Sequence, residues 1–498
     1  MKRIILFLFF IFSTTEIFCQ TQWTAFTTNP VLAMDTSMWA AYGQPACILY
    51  NDTLRMYYGV ASFVRGDTVP RGRIHYAWSV DGINWIKYSG NPTLNVGSPG
   101  QWDDEWLDTP EILWDGNEFK LYYYGDSVYM TGAVNASIGL ATSQDGINWT
   151  KQGIVLQKGN AGYWDGNFIE SPALYHDPSS GVYALWYSAQ DTVGWIKIGL
   201  AVSADGINWI KDTANPCLEN GVFNSWDDMF VSMPSVIRSE GVFEMWYSAV
   251  KWATQYDSVR VGYAVSLNGT DWIKYPGNPV LYALPGDSSE FVAVDVVWDS
   301  LNNEYKMWYE NKNTTGTHAI FYATSPRNIL FSPTCITSIS NDTTITQGDT
   351  ISLSATGGNF YQWYQSEGLN NPNIANPVAS PDTTTQYTVL IVSSSCITVD
   401  SVLITVLPVA VTEHNQIEQN LVKVYPNPFS EATTIEIANW ENLNCELKIY
   451  DLFGRELKKY EIRNQKTVIS KGNLPSGMYF YQVKDNKQNI SSGKLIIQ

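Results

Sequence analysis

The sequence predicts an all-β chain, a five-bladed β-propeller followed by two small β-sandwich domains. Three observations predict it. A seven-residue phrase ending in tryptophan recurs at Trp85, Trp149, Trp209 and Trp272, with spacings of 64, 60 and 63 residues, and a fixed period of this kind marks a repeat architecture. Aromatic residues make up 14% of the chain against 16% charged, a balance that suits pleated strands. Near residue 333 the composition changes abruptly, with no Lys or Arg between 333 and 408 and Ser, Thr and Asn dominant.

The chain opens on Met1-Lys2-Arg3, an apolar run from Ile4 to Phe12 and a polar stretch ending Cys19-Gln20. A basic start and an apolar run far short of the roughly 20 residues a membrane span needs predict a secretory signal peptide over 1–19, with a lipidated Cys19 as the alternative. No later segment is long enough to span a bilayer as a helix.

Residues 20–332 form the predicted propeller. The phrase reads Ser79-Val80-Asp81-Gly82-Ile83-Asn84-Trp85 and its three counterparts, and each copy follows an alternating strand such as Ile138-Gly139-Leu140-Ala141. Asp-Gly or Asn-Gly supplies the tight hairpin turn. A fifth strand, Ile320 to Ser325, lacks the phrase. A second phrase precedes the strands, from Trp102-Asp103 to Pro110, Trp164-Asp165 to Pro172 and Trp226-Asp227 to Pro234, with eight residues from Trp to Pro each time. Faithful repetition of these Trp and Asp residues marks them as blade-packing and turn residues. Five units of about four strands make a propeller. The run after Trp272, Ile273 to Leu281, is echoed at Trp23 to Leu32, so residues 23–32 are expected to complete the last blade and close its seam.

Residues 333–408 show alternating strands such as Tyr387 to Val392 and predict a sandwich; residues 409–420 are a polar linker, and 421–498 a second small domain. Cys335 and Cys396 lie near the ends of the first sandwich and could join in an oxidising compartment, whereas Cys47, Cys217 and Cys445 read as buried thiols. No cysteine spacing suggests a metal site. Net charge is −18, of which residues 21–420 hold about −22, so nucleic acid is excluded as a partner.

In a propeller the innermost strands converge on one funnel, so departures from the repeat are the candidates for chemistry. Two places before the repeated proline stand Gly43, Asp108, Glu170 and Ser232, with Ala293 in the fifth unit if Asp295 takes the proline place. Plain alternation sets these side chains on the proline's face. Only units two and three supply carboxylates there, and a pair of acids is what glycosidic cleavage uses. Trp39, without a counterpart in other units, could stack on a sugar ring, and Gln44 and Asp295 could contact substrate.

The five units and the Asp108-Thr109-Pro110 and Glu170-Ser171-Pro172 placements resemble glycoside hydrolase family 43 and the related invertase and levansucrase propellers, over about 300 of 498 residues. The resemblance implies carbohydrate as substrate or ligand, Glu170 as general acid and Asp108 as the residue that tunes it. Gly43-Gln44-Pro45 departs from the family by supplying no general-base Asp in blade one; Asp35 is the upstream candidate for that role. No cofactor is expected, and a calcium ion beside His318 is left open. Two rival readings follow, a non-catalytic glycan-binding propeller, favoured by the missing Asp, and a phosphorylase-like enzyme in which phosphate replaces activated water. Residues 333–408 resemble immunoglobulin-like or PKD-like spacer modules. Val424-Tyr425-Pro426-Asn427-Pro428-Phe429, Tyr450 to Arg455 and Leu474 to Tyr479 resemble, in order, the type IX secretion C-terminal sorting domain. That resemblance implies type IX machinery as a partner and a secreted or outer-surface location in a Gram-negative bacterium.

Overall fold

The computed structural model describes residues 23–33, 44–62, 70–127, 136–253, 259–281, 291–312, 318–326, 336–394, 396–408, 422–438, 445–451, 455–484 and 489–498. Among them there are strands and turns but no helix. Cys335, Asp35 and Trp39 lie outside the described residues.

The propeller strands fall into five groups of four antiparallel strands, of which the third and fourth are joined by one parallel bridge, Ile196 to Phe230. Blade 1 comprises Ala46–Tyr50, Thr53–Ser62, Arg71–Ser79 and Ile86–Lys87, and blade 2 comprises Trp106–Trp114, Phe119–Asp126, Ser137–Ser143 and Thr150–Gln157. Blade 3 comprises Phe168–His176, Tyr183–Gln190, Ile196–Ser203 and Ile210–Lys211; blade 4 comprises Phe230–Ser239, Val242–Val250, Arg260–Ser266 and Ile273–Lys274. Blade 5 holds Phe291–Asp299, Glu304–Lys312 and His318–Pro326, and takes its outer strand from Thr24–Ala25. The first-listed strand of each blade touches that of the next, and blade 5 touches blade 1, so the inner strands form a closed ring.

Closure through the N-terminus is specific. Thr24 pairs with Thr324 and Ala25 with Ala323, and Leu32 bridges Ile320. The Asn29 side chain donates to the Tyr322 carbonyl at 2.9 Å and accepts from its N–H at 2.8 Å. Asn91 grips Tyr76, Asn215 grips Leu200 and Asn278 grips Tyr263 in the same two-point way. The same asparagine clamp thus recurs in blades 1, 3, 4 and 5, and the copy in blade 5 comes from the other end of the propeller sequence.

The repeated phrase stitches neighbouring blades together. Asp81 Oδ1 accepts the N–H groups of Ile83 and Asn84, while Gly82 sits at φ +77° and leaves its carbonyl free to accept from outside the turn. The Gly82 carbonyl accepts the Trp308 indole of blade 5 at 2.8 Å; Gly146, Gly206 and Gly269 accept from Tyr57, Tyr122 and Trp186 of the preceding blades at 2.6, 2.6 and 2.8 Å. The repeated aspartates are structural: Asp103, Asp165 and Asp227 are buried and ion-paired to Lys151, Lys211 and Lys274 at 2.5, 2.5 and 2.6 Å. Trp102 and Trp164 lie over Tyr123 and Tyr187, each with ring centroids 5.8 Å apart.

Residues 336–408 form a four-stranded sheet and two small strand pairs around Leu353, Trp363, Tyr387, Val389 and Ile404. This domain seats on the turn end of blade 4. Gln362 accepts the Leu267 N–H at 2.8 Å and donates to the Asp271 carbonyl at 2.6 Å, and Tyr275 donates to the Ser394 carbonyl at 2.6 Å. Cys396 is in a disulfide; Cys47 and Cys217 are half-buried thiols and Cys445 is a buried one. As a separate unit, residues 422–497 fold into three- and four-stranded sheets over Val422, Ile435, Leu447, Ile449 and Leu495.

Candidate active site

The inner strands of blades 2, 3 and 4 are interrupted at the repeated proline. In blade 2 Asp108 pairs with Tyr124 and Glu111 with Tyr122, so two residues of the inner strand bulge between them. Glu170 and Ala173 flank the same bulge in blade 3, and Ser232 and Ser235 in blade 4. Thr109, Ser171 and Met233 take φ of 42°, 50° and 49°, a backbone region costly for non-glycine residues. The bulge resets the alternation. Because Tyr122 and Tyr124 share a face, Glu111 and not Pro110 shares the face of Asp108, which corrects the expectation from plain alternation.

Asp108 and Glu170 therefore stand at identical places in adjacent blades. Thr109 Oγ1 accepts the Ser171 N–H at 3.1 Å and fixes the two bulges to one another. Asp108 Oδ1 accepts the Thr109 N–H at 2.8 Å and Oδ2 the Trp106 indole at 3.3 Å. Asp108 and Glu170 are both half-buried. Burial raises Asp108 to about 6, against the opposing Thr109 hydrogen bond and with a further push from the charge of Glu310. Burial and then the charge of Asp108 raise Glu170 to about 7.

Asp295 lies one step deeper. It pairs with Trp308 as Glu111 pairs with Tyr122, so it takes the place after the proline, not the proline place; the blade-5 counterpart of Asp108 is Val292 and not Ala293. Asp295 Oδ2 accepts the Cys47 N–H at 2.6 Å and Oδ1 the Ser235 hydroxyl at 3.3 Å, while Glu111 accepts the Leu174 N–H at 3.1 Å. Burial raises both carboxyls, and the charge of Asp295 raises Glu111 further. Gln44 is buried, with its side-chain oxygen lacking a partner among the described residues. Asp35 and Trp39, the candidate base and stacking ring, lie outside the described residues.

Sequence reasoning missed Glu111 and Glu310. Their signal was present: the place after the proline reads Ala46, Glu111, Ala173, Ser235, Asp295, and the place after the repeated Tyr reads Gly59, Tyr124, Ser188, Ser248, Glu310. Glu310 is buried and bonds His318 Nδ1 at 2.6 Å. Among the described residues no group of three or more His, Cys, Asp or Glu is placed to hold a metal ion.

Residues 423–498 match the family described as the secretion system C-terminal sorting domain. The tail is a sorting domain. It marks the protein as secreted or held at the outer cell surface, and among the described residues no helix is long and apolar enough to cross a membrane. Two uncharacterized proteins of Mycobacterium tuberculosis, Rv1502 of strain H37Rv and MT1551 of strain CDC 1551, are each 27% identical over 192 residues, 36% of this chain and 58% of theirs. The chain thus spans little more than half the length of these curated relatives. Among solved structures, a thermostable family-43 glycoside hydrolase is similar with a TM-score of 0.45 and 20% identity, covering 59% of this chain and 91% of its own. A beta-1,2-mannobiose phosphorylase from Listeria innocua is similar with a TM-score of 0.48 and 11% identity, covering 62% and 97%.

Proposed function

We propose that the propeller is a glycoside hydrolase in which Glu170 is the general acid and Asp108 the ionised carboxylate beside it. The observation that carries this reading is the placement of two half-buried carboxylates at one register in adjacent blades, tied together by the Thr109–Ser171 hydrogen bond. At neutral pH Glu170 retains a proton to give to the leaving glycosidic oxygen, while Asp108 carries the charge that holds the proton there and later steadies the positive ring carbon. Asp35 is the proposed base on the attacking water, which makes the reaction inverting. Gln44 and Asp295 are proposed as polar contacts of the channel and Trp39 as a stacking ring. The domain of residues 336–408 is proposed to be an immunoglobulin-like spacer, and type IX machinery the partner of the sorting domain.

The experiment is to incubate the full-length protein and Glu170→Gln with a panel of plant and microbial glycans and to count new reducing ends. Release by the wild type and its loss in Glu170→Gln supports hydrolysis. Gly43, where the resemblance called for an acid, favours a second reading, a propeller that binds a glycan without cutting it. Tight binding of one glycan with no cleavage at any pH would establish that reading instead. A cleavage that appears only with added phosphate would identify a phosphorylase.

A further inference from the structure

The end of the propeller that bears Asp108 and Glu170 also bears three aromatic rings of blades 3 and 4, Trp252 and Phe223 exposed and Trp195 half-buried. Trp252 is 54% exposed and Phe223 90%. The Trp252 ring lies 5.6 Å from that of Trp195, centroid to centroid, with 35° between planes. These rings depart from the repeat: Phe223 stands where the equivalent loops carry Pro99 and Ala161.

Their anchoring is rigid. Asp191 Oδ1 accepts the N–H groups of Val193, Gly194 and Trp195 at 2.9, 2.8 and 3.0 Å, which locks the hairpin tip that carries Trp195. The buried Asp228 accepts the Trp252 N–H at 2.7 Å with one oxygen and the Asn224 N–H at 2.6 Å with the other, so one carboxylate holds both the Trp252 turn and the Phe223 loop. An apolar residue left in water costs free energy, and here Trp252 and Phe223 stand largely in water beside a half-buried Trp195.

Register gives their distance from the acids. Glu170 pairs with Ser188 and Ser188 with Ile198, so these three residues form one row across blade 3. Trp195 lies three residues beyond that row on the third strand, which is roughly 10 Å along the strand and roughly 10 Å across two strand spacings. Ile196 bridges to Phe230, the first residue of the inner strand of blade 4, so the path from Trp195 to Trp252 continues over the same rim.

We propose that Trp195, Trp252 and Phe223 form a rigid stacking platform that holds the distal units of an uncharged oligosaccharide whose scissile bond lies at Asp108 and Glu170. The inference rests on the glycosidase reading and narrows its substrate class. Aromatic faces pack against the C–H faces of sugar rings, and the separation from the acids calls for several linked units, so an oligomer is bound and a disaccharide cannot reach both places. A charge of about −22 on residues 21–420 disfavours acidic glycans.

Binding of the full-length protein to neutral arabino-, galacto-, manno- and xylo-oligosaccharides of increasing length, with oligogalacturonides as acidic probes, tests the platform by isothermal titration. One neutral series should gain about tenfold in affinity from short to long members. Trp252→Ala should remove that gain and leave short-oligomer binding and the circular dichroism spectrum as they are, and Trp252→Phe should restore most of it. Retention of the gain in Trp252→Ala, or tighter binding of the acidic series, overturns the platform. If Glu170 still governs cleavage in that case, only the platform falls; if no neutral oligomer binds at all, the glycosidase reading falls with it.

Discussion

Glu170 and Asp108 come from the same place in adjacent blades, yet their surroundings separate them. Asp108 is held by the Thr109 N–H and the Trp106 indole, whereas the carboxyl of Glu170 faces the charge of Asp108. Turnover needs Glu170 protonated and Asp108 ionised, so activity should fall below about pH 6 and again above about pH 7. Asp108→Asn deletes the charge that raises Glu170, and the alkaline limb should move to lower pH, read from a kcat profile; an unmoved limb would separate the two residues. Glu111 and Asp295 supply a different signal. Their raised affinities mean that the folded protein binds protons that the unfolded chain releases, so their contribution is full below the ordinary carboxylate range and is lost as pH rises through their folded values. The melting temperature should therefore decline from acid toward neutral pH, and Asp295→Asn should flatten that decline.

At the scale of elements, the Asp-Gly turn is both a local hairpin and an acceptor for the next blade. Trp246 occupies in blade 4 the place of Trp186 and Trp308, but the sequence of the fifth unit lacks the Asp-Gly phrase, and the Trp246 indole N–H lacks a partner among the described residues. Trp308→Phe should accordingly destabilise by about 1 kcal/mol more than Trp246→Phe, the worth of one hydrogen bond, in urea unfolding. Equal losses would show that the glycine carbonyl contributes nothing. The same elements show what could be read from residues alone. Turn phrases and their period act locally, so the five blades and the N-terminal closing strand were legible, and so were Asp108 and Glu170 as departures from a repeat. Glu111 was not, because a plain strand turns it away from Asp108 and only the bulge at Thr109 brings it back. Glu310 was not, because it comes from the second strand of its blade and not from the inner strand that carries Asp108 and Glu170.

At the scale of the molecule, closure, docking and export occupy separate parts. The N-terminal strand seals the ring, and the domain of residues 336–408 grips the turn end of blade 4, opposite the end that carries the acids. The sorting domain is a separate compact unit with its own core. Deleting residues 421–498 should leave the propeller's melting transition unchanged while abolishing delivery to the surface, measured by surface labelling of intact cells; delivery of the truncated chain would contradict the role of the tail. The propeller's chemistry is most directly tested by the leaving-group dependence of Glu170→Gln. On an unactivated glycan the variant should lose at least about 100-fold in turnover, and on the same sugar carrying a nitrophenyl leaving group, which needs little protonation, it should lose far less. Equal losses on the two substrates would contradict a proton-donating Glu170.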